Sequence, residues 1–159
     1  MIILGIDPGF SRLGYAIIDA DKGNSKVIDC SCFETSPRLE YSKRLVLVAD
    51  KVKDLILKHR PQFLAIEKVF FTKNQKTAFQ IAEVRGILLY LTASSGITTC
   101  EYTPLEVKMA LCGYGKATKE QVQKMLKALL NIHFLPKEDD ASDALAICLT
   151  CASCLPRPR

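Results

Sequence analysis

Three β-prone apolar segments crowd into the first 34 residues, and only after them does a helical period begin. That order constrains the fold more than any other feature. Residues 2–7 (IILGID), 15–19 and 27–34 are joined by short polar turns, so they pair antiparallel as a meander. Apolar residues then recur at helical spacing over 41–59, at Leu45, Val48, Ala49, Val52, Leu55 and Ile56. A short apolar strand follows at 63–67, a second helix at 77–94 and another strand at 97–102. Strands that alternate with helices return to their sheet in parallel. The expected fold class is therefore α/β: a mixed sheet, antiparallel meander plus parallel strands, flanked by helices.

Local signals punctuate the helices. His59-Arg60-Pro61 ends the first, because proline biases the preceding residue away from the α region. Thr103-Pro104 starts a short helix that Gly113 and Gly115 break. Thr118 with Gln121 is a capping box ahead of an amphipathic helix carrying Val122, Met125, Leu126, Leu129 and Leu130. Asp139 and Asp140 suit the N-terminus of a last helix, with Asp139 or Asp140 as its cap, running through Leu145 to Cys151.

A chain of 159 residues fits one domain, expected over 1–152 with a short tail at 153–159. No apolar run reaches the length of a membrane span, and MIILGIDPGF lacks the marks of a signal peptide, so a cytoplasmic protein is expected. The seven cysteines then read as reduced thiols. Cys148, Cys151 and Cys154 form C-x2-C-x2-C, but the ferredoxin pattern needs a fourth cysteine after three intervening residues, where Pro158 stands. The same spacing suits one flank of a helix, where cysteine acts as a small hydrophobe. His59 and His133 read as surface or helix-terminal residues. A net charge of +5 is compatible with a polyanionic partner without requiring one. Lysines gather in two stretches, Lys68, Lys73 and Lys76, and Lys108, Lys116, Lys119, Lys124 and Lys127.

The acids are more telling. Asp7 closes the first strand with no cation nearby before Arg12, and Glu67 closes the strand after the first long helix. Asp140 and Asp143, three apart, share one helical face in DDASDALA. Each alone has an ordinary explanation as a turn residue, a strand end or a cap. Strand ends and helix starts converge at the edge of α/β sheets, and carboxylates gathered there repel unless protonated or bound to a cation. Oxygen-only ligation favours Mg²⁺, with Mn²⁺ as a possible substitute. Two such ions, about 3.5–4 Å apart, suit phosphodiester hydrolysis. The chain has no P-loop and no G-x-S-x-G.

GIDPG at 5–9, AIEKVF at 65–70 and DDASDALA at 139–146, in that order, resemble the RuvC family of bacterial Holliday-junction resolvases. KNQKTAFQIAEVRG and LEVKMALCGYGKATKEQVQ extend the likeness across nearly the whole chain. The resemblance implies an RNase H-like fold with a five-stranded mixed sheet. It implies a homodimeric, Mg²⁺-dependent endodeoxyribonuclease that makes paired symmetric nicks in four-way DNA junctions during recombination and repair. Asp7, Glu67, Asp140 and Asp143 match the family's catalytic, metal-holding acids. Phe70 matches an aromatic at the junction centre, and Lys108 and Lys119 match lysines near the active site. Lys73 and Lys116 are further DNA-contact candidates from the two lysine stretches. A branch-migration complex of the RuvA and RuvB type is implied as a partner. The chain departs from the common pattern at Lys68, often glutamine, and at Phe10, where a small polar residue is usual and a bulkier side chain is expected near Asp7.

Other readings remain open at this stage. YqgF-type RNA-processing nucleases share a GxDxG start but fit AIEKVF less well. Actin-like ATPases and sugar kinases begin similarly but need two domains. A catalytically silent DNA-binding module would bind junctions without cutting them.

Overall fold

The computed structural model of the chain describes residues 1–21, 24–68 and 75–155. Phe70 and Lys73 lie outside the described residues. The described residues form five strands and five helices in the order β1 (Ile2–Asp7), β2 (Arg12–Asp21), β3 (Asn24–Glu34), α1 (Tyr41–His59), β4 (Phe63–Glu67), α2 (Gln75–Ser94), β5 (Thr98–Tyr102), α3 (Pro104–Cys112), α4 (Lys119–Leu130) and α5 (Asp139–Cys154). The strands form one sheet in the order β3-β2-β1-β4-β5. β1–β2 and β2–β3 are antiparallel, and β1–β4 and β4–β5 are parallel. This is the expected mixed sheet. Among the described residues no helix is long and apolar enough to cross a membrane.

The second strand starts three residues earlier than its apolar pattern predicts. Gly14, expected in the preceding turn, pairs with Asp7 inside the ladder. A β-carbon at Gly14 would stand 2.1 Å from the Asp140 backbone oxygen. The glycine is therefore a docking surface for α5 rather than a turn residue. The β2–β3 ladder carries a bulge opposite Ile17/Ile18 that skips Ile28, which is exposed.

Alternation along β1, β2 and β4 divides the core in two. One face carries Leu4, Ile6, Leu13, Ile17, Leu64 and Ile66, which pack against Val48, Val52 and Leu55 of α1 and Val84 and Leu88 of α2. The other carries Ile3, Ala16, Ile18 and Ala65 beneath α3, α4 and α5. α1 stops where expected: Arg60 adopts the left-handed conformation and its N–H donates to the Ile56 carbonyl at 2.8 Å. The Thr118–Gln121 capping box is present, and a second box joins Thr103 and Glu106 at α3.

Three expectations change. The cap residue of α5 is Glu138, with no side-chain capping bond, so Asp139 and Asp140 lie inside the first turn. Phe10 points away from Asp7 into the α1/α2 core, stacked on Tyr41 at 4.6 Å with the Arg44 guanidinium 4.0 Å from its ring centre. His59 ends α1 as expected but is not a surface residue. Its side chain is only 9% exposed, with Nε2 3.7 Å from Asp29.

Candidate active site

Asp7 and Glu67 end adjacent parallel strands, β1 and β4, so the sheet itself sets them side by side. α5 crosses above the same strand ends and brings Asp140 and Asp143 one turn apart. The crossing is close because the strands offer almost no side chain there. A β-carbon at Gly5 would lie 2.5 Å from both the Ala144 carbonyl and Cys148 Sγ. Cys148 is fully buried, its thiol 3.4 Å from the Ala16 carbonyl. Cys151 is also buried and Cys154 exposed, so the cysteine run lies along α5 with its first two members packed inward. Cys30 and Cys32 of β3 meet the start of α5 as well, at the Ala141 carbonyl (3.3 Å) and the Asp140 carboxylate (3.7 Å).

The four expected acids thus share one site, and its electrostatics show how strongly they are coupled. Burial, then repulsion from Glu67, Asp143 and Asp140, pushes the Asp7 carboxyl up to about 7 against the relief of Lys119. Glu67 is raised by burial and by Asp143. Asp143 is raised by burial and by Asp139 and Asp140, with Lys119 opposing. Lys119 Nζ sits 3.1 Å from Asp139 and 3.8 Å from Asp143. Burial alone would lower its pKa, but these acids outweigh that and hold it up. On the other flank Arg12 Nε lies 2.9 Å from Asp140 Oδ2.

A cleft of about 290 Å³ opens beside the acids. Glu67, Asp143, Lys108 and Lys119 give it charge, and Pro104, Val107, Val122, Ala146 and Ile147 give it apolar walls. Lys116 is exposed in the α3–α4 turn. Two positioning features escape the sequence reading. Arg85 of α2 donates to the Glu67 backbone carbonyl at 2.9 Å and pairs with Glu101 at 2.5 Å, which fixes the end of β4. Arg12 is the other. Each depends on a partner far away in sequence, and no local pattern announces it.

The donor set suits a hard divalent cation: all oxygen, half-buried, with the Asp7 and Glu67 charges disfavoured as they stand. Among the described residues no three acidic, histidine or cysteine side chains close on one point. Asp140 is drawn to Arg12 and Asp143 to Lys119.

Comparison with known proteins bears on this site. The family model for crossover junction endodeoxyribonuclease RuvC matches residues 3–151. The chain belongs to the RuvC family. RuvC of Fusobacterium nucleatum, named a crossover junction endodeoxyribonuclease, is 43% identical over 150 residues, covering 94% of this chain and 79% of that protein. RuvC of Halothermothrix orenii is 45% identical over 147 residues, covering 92% and 89%. Thermus thermophilus RuvC, solved in complex with a Holliday junction substrate, superposes with a TM-score of 0.89 at 30% identity, covering 94% of this chain and 92% of that one. The fold is accordingly the RNase H-like fold of RuvC. The meander and parallel strands described above are the RuvC sheet.

Proposed function

We propose that this chain is a divalent-cation-dependent endonuclease that resolves four-way DNA junctions by paired, symmetric nicks, acting in recombination and repair. The observation that carries the reading is the convergence of Asp7, Glu67, Asp140 and Asp143 at one end of a RuvC-family sheet, beside a cleft rimmed by Lys108 and Lys119. Those four carboxylates would hold Mg²⁺, two ions per site in the fullest form, with Mn²⁺ as a substitute. Held by these residues, divalent cations would supply an activated water and charge stabilisation for the departing 3′ oxygen of a phosphodiester. The water oxygen forms a bond to phosphorus, the P–O3′ bond breaks, and the products carry 5′-phosphate and 3′-hydroxyl ends.

The chain's own groups do the positioning. Lys108 and Lys119 face the cleft as phosphate contacts that seat the strand without reading its sequence. Val107, Val122 and Ile147 give the cleft an apolar wall beside the lysines. Arg85 anchors the backbone that presents Glu67. Phe70, Lys73 and Lys116 are the further DNA contacts this reading proposes from the sequence. A junction substrate implies the cytoplasm, and a branch-migration complex of the RuvA and RuvB type is the partner this reading implies. Residues 1–152 act as one nuclease domain.

Paired nicks need two sites, so the reading includes a homodimer. Phe79, Glu83, Gly86 and Tyr90 line one face of α2. Phe79 is 68% and Tyr90 72% exposed, and open space lies over Gly86, where a partner helix can approach closely. Phe79→Glu with Tyr90→Glu should convert a dimer to monomer in light scattering. An unchanged mass would reject this face.

The test of the function is cutting of a synthetic mobile four-way junction, with linear duplex and structured RNA as controls. The expected result is symmetric nicks in the junction alone, only with Mg²⁺ or Mn²⁺. Preference for RNA would favour a YqgF-type activity, and binding without cutting would favour a silent module.

A further inference from the structure

We propose that Arg12 is a positioning residue that competes with the divalent cation for Asp140 and keeps that carboxylate out of its cation-holding orientation until an ion displaces it. The inference rests on the metal-holding reading of the four acids given above.

Of the four acids, Asp7 and Glu67 have no ion-pair partner within 4 Å among the described residues, while Asp143 shares Lys119 with Asp139. Asp140 is different. Arg12 Nε sits 2.9 Å from its Oδ2, and the Cys32 thiol lies 3.7 Å from the same oxygen. The guanidinium has a second seat already built: Glu34, its ladder partner on β3, lies 3.3 Å from the same Nε. Arg12 can therefore leave Asp140 without losing a counter-charge, because Glu34 remains beside it. Its side chain is 47% exposed, so the movement needs no repacking of the core.

The arrangement explains why the acids share a site without closing on a point. A guanidinium held on one carboxylate oxygen occupies a lone pair that an ion would use, and its charge opposes an incoming cation. The exchange is a replacement of one positive partner by another, so the cost falls on ion affinity rather than on folding. Ion pairs of this exposure contribute little. The expected effect of removing Arg12 is therefore tighter cation binding by about two- to fivefold.

The experiment is calorimetric titration of Mn²⁺, and separately Mg²⁺, into the full chain without DNA, at low salt and fixed pH. Wild type, Arg12→Gln, Arg12→Lys, Asp140→Asn and the Arg12→Gln/Asp140→Asn double variant are compared, each checked for a cooperative melt. Arg12→Gln should bind two- to fivefold tighter than wild type. Arg12→Lys should fall between them, because the ammonium keeps the charge but not the guanidinium geometry. Arg12→Gln should have no effect in the Asp140→Asn background. Unchanged or weaker binding by Arg12→Gln, or the same gain in both backgrounds, overturns the inference while leaving the metal site standing. No binding by wild type, with or without Arg12, would overturn the metal reading itself and this inference with it.

Discussion

Under α1 and α2 the sheet presents Leu4, Ile6, Leu13, Ile17, Leu64 and Ile66, whereas at the carboxylate end under α5 the same strands present Gly5, Gly14, Ala16 and Ala65. Large side chains on the first face fill the space under the helices and hold the fold by volume. Small ones on the second let a helix backbone rest almost on the strands. The price of that contact is packing area. The gain is position: the first turns of α5, with Asp140 and Asp143, are fixed over Asp7 by contacts too tight to slide. One sheet thus separates stability from precision by side-chain size alone.

The most severe challenge to this contrast is Gly14→Ala. Its new methyl has nowhere to go but the Asp140 backbone, 2.1 Å away. The account expects a loss of about 3 kcal/mol or more in denaturant melts, with junction nicking lost even in the fraction that stays folded. Leu55→Ala, on the opposite face, should cost roughly 2–4 kcal/mol while leaving the rate per folded molecule unchanged. If both variants lost activity only in proportion to folded protein, the division of labour between the faces would be wrong.

A smaller effect follows from charge. Asp7 is held up to about 7 in the folded chain, against an ordinary 3.8 when unfolded. Between those values the folded state keeps a proton that the unfolded state has lost. Without divalent cations, stability should therefore fall as pH rises from about 4 to about 7, then level off. A shift of this size bounds the effect at roughly 4 kcal/mol, and local rearrangement will reduce it to about 1–2. Thermal melts in chelator should show Asp7→Asn more stable than wild type at pH 8, with a flatter pH profile. Added Mg²⁺ should stabilise wild type more than the variant. A wild-type curve that is flat from pH 4 to 8 in chelator would contradict the electrostatic picture.

Much of this was legible along the chain because it is local. Helical period, proline stops, the Thr118–Gln121 box and the order of strands each arise from neighbouring residues, and the resulting mixed sheet followed. The acids were legible because strand ends and a three-residue helical spacing project to the same edge. What escaped depends on contacts across the fold. Gly14 reads as a turn glycine until α5 is seen resting on it. Asp139 and Asp140 read as possible caps, but the helix starts at Glu138 and leaves both inside its first turn. Arg85 gives no sign of its bond to the Glu67 carbonyl, 18 residues away. Phe10, seen only as bulk beside Asp7, turns the other way because Tyr41 and Arg44 offer it a stack.

The most direct measurement of the central claim compares Asp7→Asn with wild type on the same synthetic four-way junction, scoring binding and nicking in parallel. The account predicts binding within a few fold of wild type and nicking slower by about 10³-fold or more, since several kcal/mol of transition-state stabilisation would go with the cation site. Nicking by the variant at the wild-type rate would contradict it.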